Sequence, residues 1–95
     1  MTMADISIER RSVEKFLVTV ADEAGITTHG VTVTPADLEK YAGEHGDAEE
    51  LLEKSFEFLL EHEPHQFIHE HFDLSEIERF FPEYTMEIRR RLGLD

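Results

Sequence analysis

VTVTPADLEKYAGEHGDAEELLEKSFEFLLEHE, residues Val31 to Glu63, decides the fold, because one unbroken stretch carries a β segment and two helix starts with their caps. Val31 and Val33 alternate with Thr32 and Thr34, the period-2 pattern of a half-buried strand. Thr34 and Pro35 then read as an N-cap and a first helical residue, and Asp37 lies in the first turn, where a negative charge suits the helix dipole. Val33 and Leu38 bracket that start as a hydrophobic staple. Leu38, Tyr41 and Ala42 make a short apolar stripe, and Gly46 is expected to close the helix after His45. Asp47 opens the next helix, with Glu50 three residues on as a capping-box partner. Leu52, Phe56, Leu59 and Leu60 form its main face, flanked by Leu51 and Phe58, so this helix is expected to be central; it ends before Pro64.

On the N-terminal side, Phe16-Leu17-Val18-Thr19-Val20 is rich in β-branched and aromatic residues, and Asp22-Glu23-Ala24-Gly25 supplies a turn. Thr27 to Val33 returns as a second alternating segment. The pattern predicts a β-hairpin with Phe16, Val18 and Val20 on one face, while a helix over Val13 to Ala24 is the competing reading. Residues 1–12 are polar apart from Ile6 and Ile8 and read as a flexible arm or an edge strand. On the C-terminal side, a short helix is expected over Pro64 to His71, turning Phe67, Ile68 and Phe72 inward. A further helix carries Ile77, Phe80 and Phe81 until Pro82, and a last segment, Pro82 to Leu92, sets Tyr84 and Ile88 on one side.

The resulting expectation is an α+β fold, with an N-terminal β-hairpin followed by four or five short helices and a mostly helical remainder. Residues 13–95 form its single domain. Leu52, Phe56, Leu59, Leu60, Ile68, Phe72, Ile77 and Phe80 are placed at the centre. A chain of 95 residues with 40% hydrophobic content supports one core and not two.

Composition narrows the function. The net charge is −13, and between Val31 and Arg79 the only bases are Lys40, Lys54 and Arg79 against acids recurring from Asp37 to Glu78. Such a surface repels phosphate backbones and anionic lipids and favours basic partners or plain solubility. Zero Cys excludes disulfides and thiolate sites, and MTMADISIER has no apolar run of the kind a signal peptide needs, so the protein reads as cytoplasmic with no membrane span. The run Arg89-Arg90-Arg91 at a helix end suits the dipole and lacks the aromatic interleaving of a nucleic-acid patch.

Six histidines occur, four of them in HEPHQFIHEH. His65 and His69, four apart, would share one face of a helix and could bind a metal with Glu61, His62 or Glu70, but no HExxH pattern is present and Pro64 separates His62 from His65. The same cluster could respond to pH. No serine or carboxylate pair has a context that marks catalysis, so no enzymatic activity and no cofactor are expected. Phe58 lies off the main stripe of its helix, Phe81 precedes a proline, and Tyr84 follows it; these three are the candidate partner-binding residues.

From VTVTPADLEKYAGEHGDAEELLEKSFEFLLE the chain resembles a ribbon-helix-helix module, which implies a strand paired with its twin in a dimer. Thr32 and Thr34 would then be the outward, DNA-reading positions. The basic residues such repressors carry near the strand and helix starts are missing. Over a longer stretch, SFEFLLEHEP (55–64) followed by FDLSEIERFFPEY (72–84) resembles small prokaryotic proteins of unassigned role that share SFxFLLExEP and FDLxxIxxxFPEY blocks. That resemblance implies a family without an activity, and it does not require histidine at positions 65, 69 or 71. The functional expectation is an acidic, non-enzymatic protein-interaction or regulatory module, monomeric or homodimeric, with a protein partner that is basic. The alternatives are a ribbon-helix-helix-like DNA regulator or antitoxin and a histidine-cluster metal-binding protein.

Overall fold

The computed structural model describes residues 4–94. Strand β1 (Asp5–Arg10), strand β2 (Lys15–Asp22) and strand β3 (Gly25–Thr32) form an antiparallel meander, and a short strand β4 (His71–Asp73) adds to β3 in parallel. Helices α1 (Pro35–Ala42) and α2 (Ala48–His62) separate β3 from β4, and α3 (Glu76–Phe80) and α4 (Tyr84–Arg91) complete the chain. Of the segment 1–12, residues 1–3 lie outside the described residues and Asp5–Arg10 are β1, paired residue by residue with Phe16 to Ala21.

The hairpin Lys15 to Thr32 forms as its pattern predicts, with Phe16 opposite Val31, Val18 opposite His29 and Val20 opposite Thr27. Directly opposed residues share a face, so Ile6, Ile8, Phe16, Val18, Val20, Thr27, His29, Val31 and Phe72 all point to one side. Phe16, Val18, Val20 and Val31 are buried there together with Leu51, Leu52, Phe56 and Leu59 of α2. The opposite side presents exposed Ser7, Ile26, Thr28 and His71.

The expectation of a mostly helical remainder after a lone hairpin is corrected: the scaffold is a four-stranded mixed sheet with helices over one face. Its cause lies in residues 64–73. Pro64 (ψ 150°) starts only a single 3-10 turn, His65–Phe67, and Ile68 at φ −77°, ψ 135° is already extended. A free β3 edge outcompetes helix continuation here. The Gly30 N–H donates to the Glu70 carbonyl at 2.6 Å, the Leu74 N–H donates to the Thr32 carbonyl at 2.9 Å, and residues 30–32 pair with 71–73. Gly30 permits this approach, since a Cβ there would lie 2.7 Å from Nδ1 of His71.

Three smaller differences have local causes. Helix α1 stops at Ala42 because Gly43, at φ 85°, donates its N–H to the Glu39 carbonyl and closes the helix three residues before the expected Gly46. Phe80 is 63% exposed, although Ile77 of the same turn is buried. Pro82 drives Phe81 out of helical geometry, to φ −131°, so Phe81 packs under Phe58 while Phe80 is left outside. Phe67 is 69% exposed because its 3-10 turn directs Ile68 and His65 inward. Thr34 caps α1 as read and also forms a reciprocal capping box with Asp37, whereas Asp47 caps α2 by accepting from the Glu49 N–H, in place of the capping box expected with Glu50.

Candidate functional site

The sequence blocks 55–64 and 72–84 interlock. The Ser55 hydroxyl donates to the Leu51 carbonyl at 2.7 Å, one turn back, and lies 2.6 Å from the Tyr84 hydroxyl. Phe58 meets Phe81 and Tyr84 edge-on, with ring centroids 5.7 and 5.5 Å apart, and His62 covers Phe58 at 4.6 Å. Of the three partner-binding candidates, Phe58 and Tyr84 are therefore buried, and Phe81 is half-buried. Burial pushes the Tyr84 hydroxyl up, out of the titrating range.

Beside this cluster the chain leaves a groove of about 370 Å³ between the 65–72 connection and α3. Leu59, Ile68 and Ile77 form its buried floor, Phe72 and Phe81 its walls, and the exposed rings of Phe67 and Phe80 its rims. Its polar lining is Glu63, His69 and Glu76. The His69 ring stands edge-on to Phe80 at 6.3 Å. Glu76 also accepts from the Asp73 N–H at 2.9 Å, which fixes its carboxylate at the start of α3.

Behind the connection lies a polar line whose two histidine rings are buried and whose Asp22 and Thr27 are half-buried. Nε2 of His65 is 2.9 Å from the Asp22 carboxylate, and Nδ1 of His65 is 2.7 Å from the Thr27 hydroxyl. Nε2 of His29 approaches the same hydroxyl at 2.8 Å, while Nδ1 of His29 donates to the His69 carbonyl at 2.8 Å. Both rings are only 1% exposed. The bond from His65 holds the Asp22 carboxyl below its usual range, and burial, only partly offset by its bond to His69, pushes His29 down. Asp22, His65 and Thr27 have the connectivity of a nucleophilic triad, yet the hydroxyl also serves His29 and does not line the groove.

The two metal-ligand candidates are thus separated in role. His65 has both ring nitrogens engaged in the interior, whereas His69 is exposed beside Phe80, and the helix expected to align them is absent. Among the described residues no group of three or more His, Asp or Glu is arranged to hold a metal ion. Thr32 accepts from Nζ of Lys15 at 2.8 Å, and Thr34 caps α1. Over Gly30 to Thr32 strand β3 is paired on both sides, by β2 and by β4, which leaves that stretch no edge for the ribbon of a dimer. The arginine run is tied down within the chain: Arg91 bonds Glu61 and Glu87 at 2.8 and 3.0 Å and covers Phe58, and Arg89 bonds the Lys40 carbonyl.

Sequence reasoning missed Asp22 and Thr27 as partners of His65, His29 as the second ring on the Thr27 hydroxyl, and Phe67 and Phe80 as surface groups. A signal for His29 was present, since it alternates in step with Thr27 and Val31 along the inward face of β3. No family model, curated protein or solved structure matches the chain. No helix among the described residues is long and apolar enough to cross a membrane.

Proposed function

We propose that this chain is a cytoplasmic, non-enzymatic protein-interaction module that docks a basic, amphipathic segment of a partner protein in the groove between the 65–72 connection and α3. The observation that carries this reading is the pair of exposed phenylalanines, Phe67 and Phe80, on the two rims of an apolar groove whose lining carboxylates are Glu63 and Glu76. Large exposed rings on either side of an apolar groove mark an interaction surface. The volume suits one or two large apolar anchors. Charge argues for the chemistry around those anchors: with a net charge of −13 and acids on the groove itself, a segment flanked by Lys or Arg is drawn in, and an acidic one is turned away.

A fluorescein-labelled helical peptide built of leucine, phenylalanine and lysine tests this by anisotropy. Saturable binding is expected, weakening as salt rises, and a peptide with every lysine replaced by glutamate is expected not to bind. Phe80→Ala and Phe67→Ala should each weaken binding about tenfold. Absence of saturation, or undiminished binding by the doubly substituted protein, overturns the proposal. So does a dimer in sedimentation that Phe80→Ala dissociates, because the occupant would then be a second copy.

A further inference from the structure

We propose that the polar line Asp22–His65–Thr27–His29 holds one proton more than two neutral histidines carry, and that this proton latches the groove's 65–69 wall against the sheet. Four contacts of 2.7 to 2.9 Å join these groups to one another and to the His69 carbonyl. A carbonyl only accepts, so Nδ1 of His29 carries a hydrogen; an ionised carboxylate only accepts, so Nε2 of His65 carries another. The two remaining contacts both end on the Thr27 hydroxyl, which has a single hydrogen. It donates to one ring, and the other ring must bring its own. Three ring hydrogens on two imidazoles make one imidazolium.

Position assigns that charge to His65. Its Nε2 faces the Asp22 carboxylate directly, while burial favours the neutral form of His29. The groups facing the line are few: Asp22 from β2, Thr27 and His29 from β3, the uncharged Phe56 ring of α2 at 5.5 Å from His29, and Gln66, the His69 carbonyl and Glu70 from the connection. The Gln66 side-chain amide lies 3.4 Å from Nε2 of His65 and presents its oxygen to that N–H once the amide is turned over. When the extra proton leaves to water, one ring nitrogen is left lone pair to lone pair against the hydroxyl, and that contact opens.

The consequence reaches the groove through the chain. His65 is bonded to the hairpin by its ring and His69 by its carbonyl, and between and including them lie Phe67, Ile68 and His69 of the groove lining. Docking that depends on this latch rests on the groove reading above; the latch itself does not.

Ring nitrogen-15 spectra of the full chain at pH 7 give the count directly. His65 is expected to show two protonated nitrogens, and His29 a protonated Nδ1 with an unprotonated Nε2. On raising the pH, the loss of one His65 proton should coincide with shifts of Phe67 and Ile68. Thr27→Val removes the shared hydroxyl, so both rings should be singly protonated at pH 7 and the Phe67 and Ile68 shifts should no longer track a ring transition. Two singly protonated rings in the native protein at pH 7, or groove signals indifferent to the ring transition, overturn the latch, and the native spectra decide this even if Thr27→Val does not fold. Lysine-rich peptide binding that is unchanged across the ring transition overturns the latch as a regulator while docking stands. A ring transition that moves Phe67 while no peptide binds at any pH leaves the latch intact and removes docking.

Discussion

Two carboxylates stand at the head of contrasting polar clusters, one among the helices and one at the end of the hairpin. Glu78 of α3 accepts from the Tyr41 hydroxyl and the Thr85 hydroxyl, each at 2.7 Å, and pairs with Nζ of Lys40 at 2.9 Å. Every donor brings its own hydrogen, so the cluster is satisfied without any added proton. Those bonds hold the Glu78 carboxyl down at about 2, and burial with the neighbouring Glu78 charge pushes the Tyr41 hydroxyl up beyond its titrating range. Asp22 stands instead at the head of a polar line in which contacts outnumber the hydrogens of neutral groups. Redundant donors make the first cluster tolerant of change, and scarcity makes the second sensitive to it.

The largest expected effect follows from that difference. His65→Ala removes a buried ring, opens a cavity beneath the 65–69 connection and strips Asp22 and Thr27 of partners, at a cost of about 3 kcal/mol in urea unfolding. Glu78→Gln keeps the shape and some of the bonds of the helical cluster; with the Glu78 side chain partly in water, its cost is about 1 kcal/mol after screening. Equal losses in the two variants would break the contrast between a hub with redundant donors and a line with scarce ones.

Acid sharpens the same contrast. Glu78 has a folded value of about 2 against an ordinary 4.5, so the unfolded chain binds the proton more readily. Its contribution is therefore present above about pH 4.5 and is lost as the pH falls toward about 2. His29 is held below its ordinary 6.5, so the unfolded chain again binds the extra proton, and stability from its neutral ring declines as the pH drops below that value. Urea midpoints followed downward in pH should thus fall in two stages. Glu78→Gln should flatten only the more acidic stage, and a variant lacking the His29 ring only the milder one.

How much of this was legible depends on where the governing contact lies along the chain. Helix starts with their own caps, such as Thr34 with Asp37, are local, and the hairpin is specified by its alternation and by the turn at Asp22 to Gly25. Strand β4 was not legible, because its three residues are extended by pairing to Gly30–Thr32 some forty positions away, against a helix-like spacing of Phe67, Ile68 and Phe72. The same distance hid the polar line, since Thr27 and His65 are joined only once that pairing is made. At the groove, the apolar pattern turned Ile77 inward as found but gave Phe80 the wrong side and left Phe81 only half-buried, a choice made by the proline after Phe81.

The smallest predicted effect tests redundancy itself. Lys40 reaches Glu78 at 2.9 Å and lies 5.3 Å from the centre of the Tyr41 ring, which on distances alone would rank it with the strongest contacts in the molecule. Its side chain is half exposed, however, and water replaces an ammonium donor at little cost when two hydroxyls still hold the carboxylate. Lys40→Ala should therefore lower stability by no more than about 0.5 kcal/mol, and the loss should shrink further in high salt, where the native pair is already screened. The hydroxyl of Tyr41 should remain bonded to Glu78, visible as a phenolic proton protected from exchange. A loss approaching that of His65→Ala would mean that Glu78 depends on Lys40 as strictly as Asp22 depends on His65, and the distinction between the two carboxylates would fall.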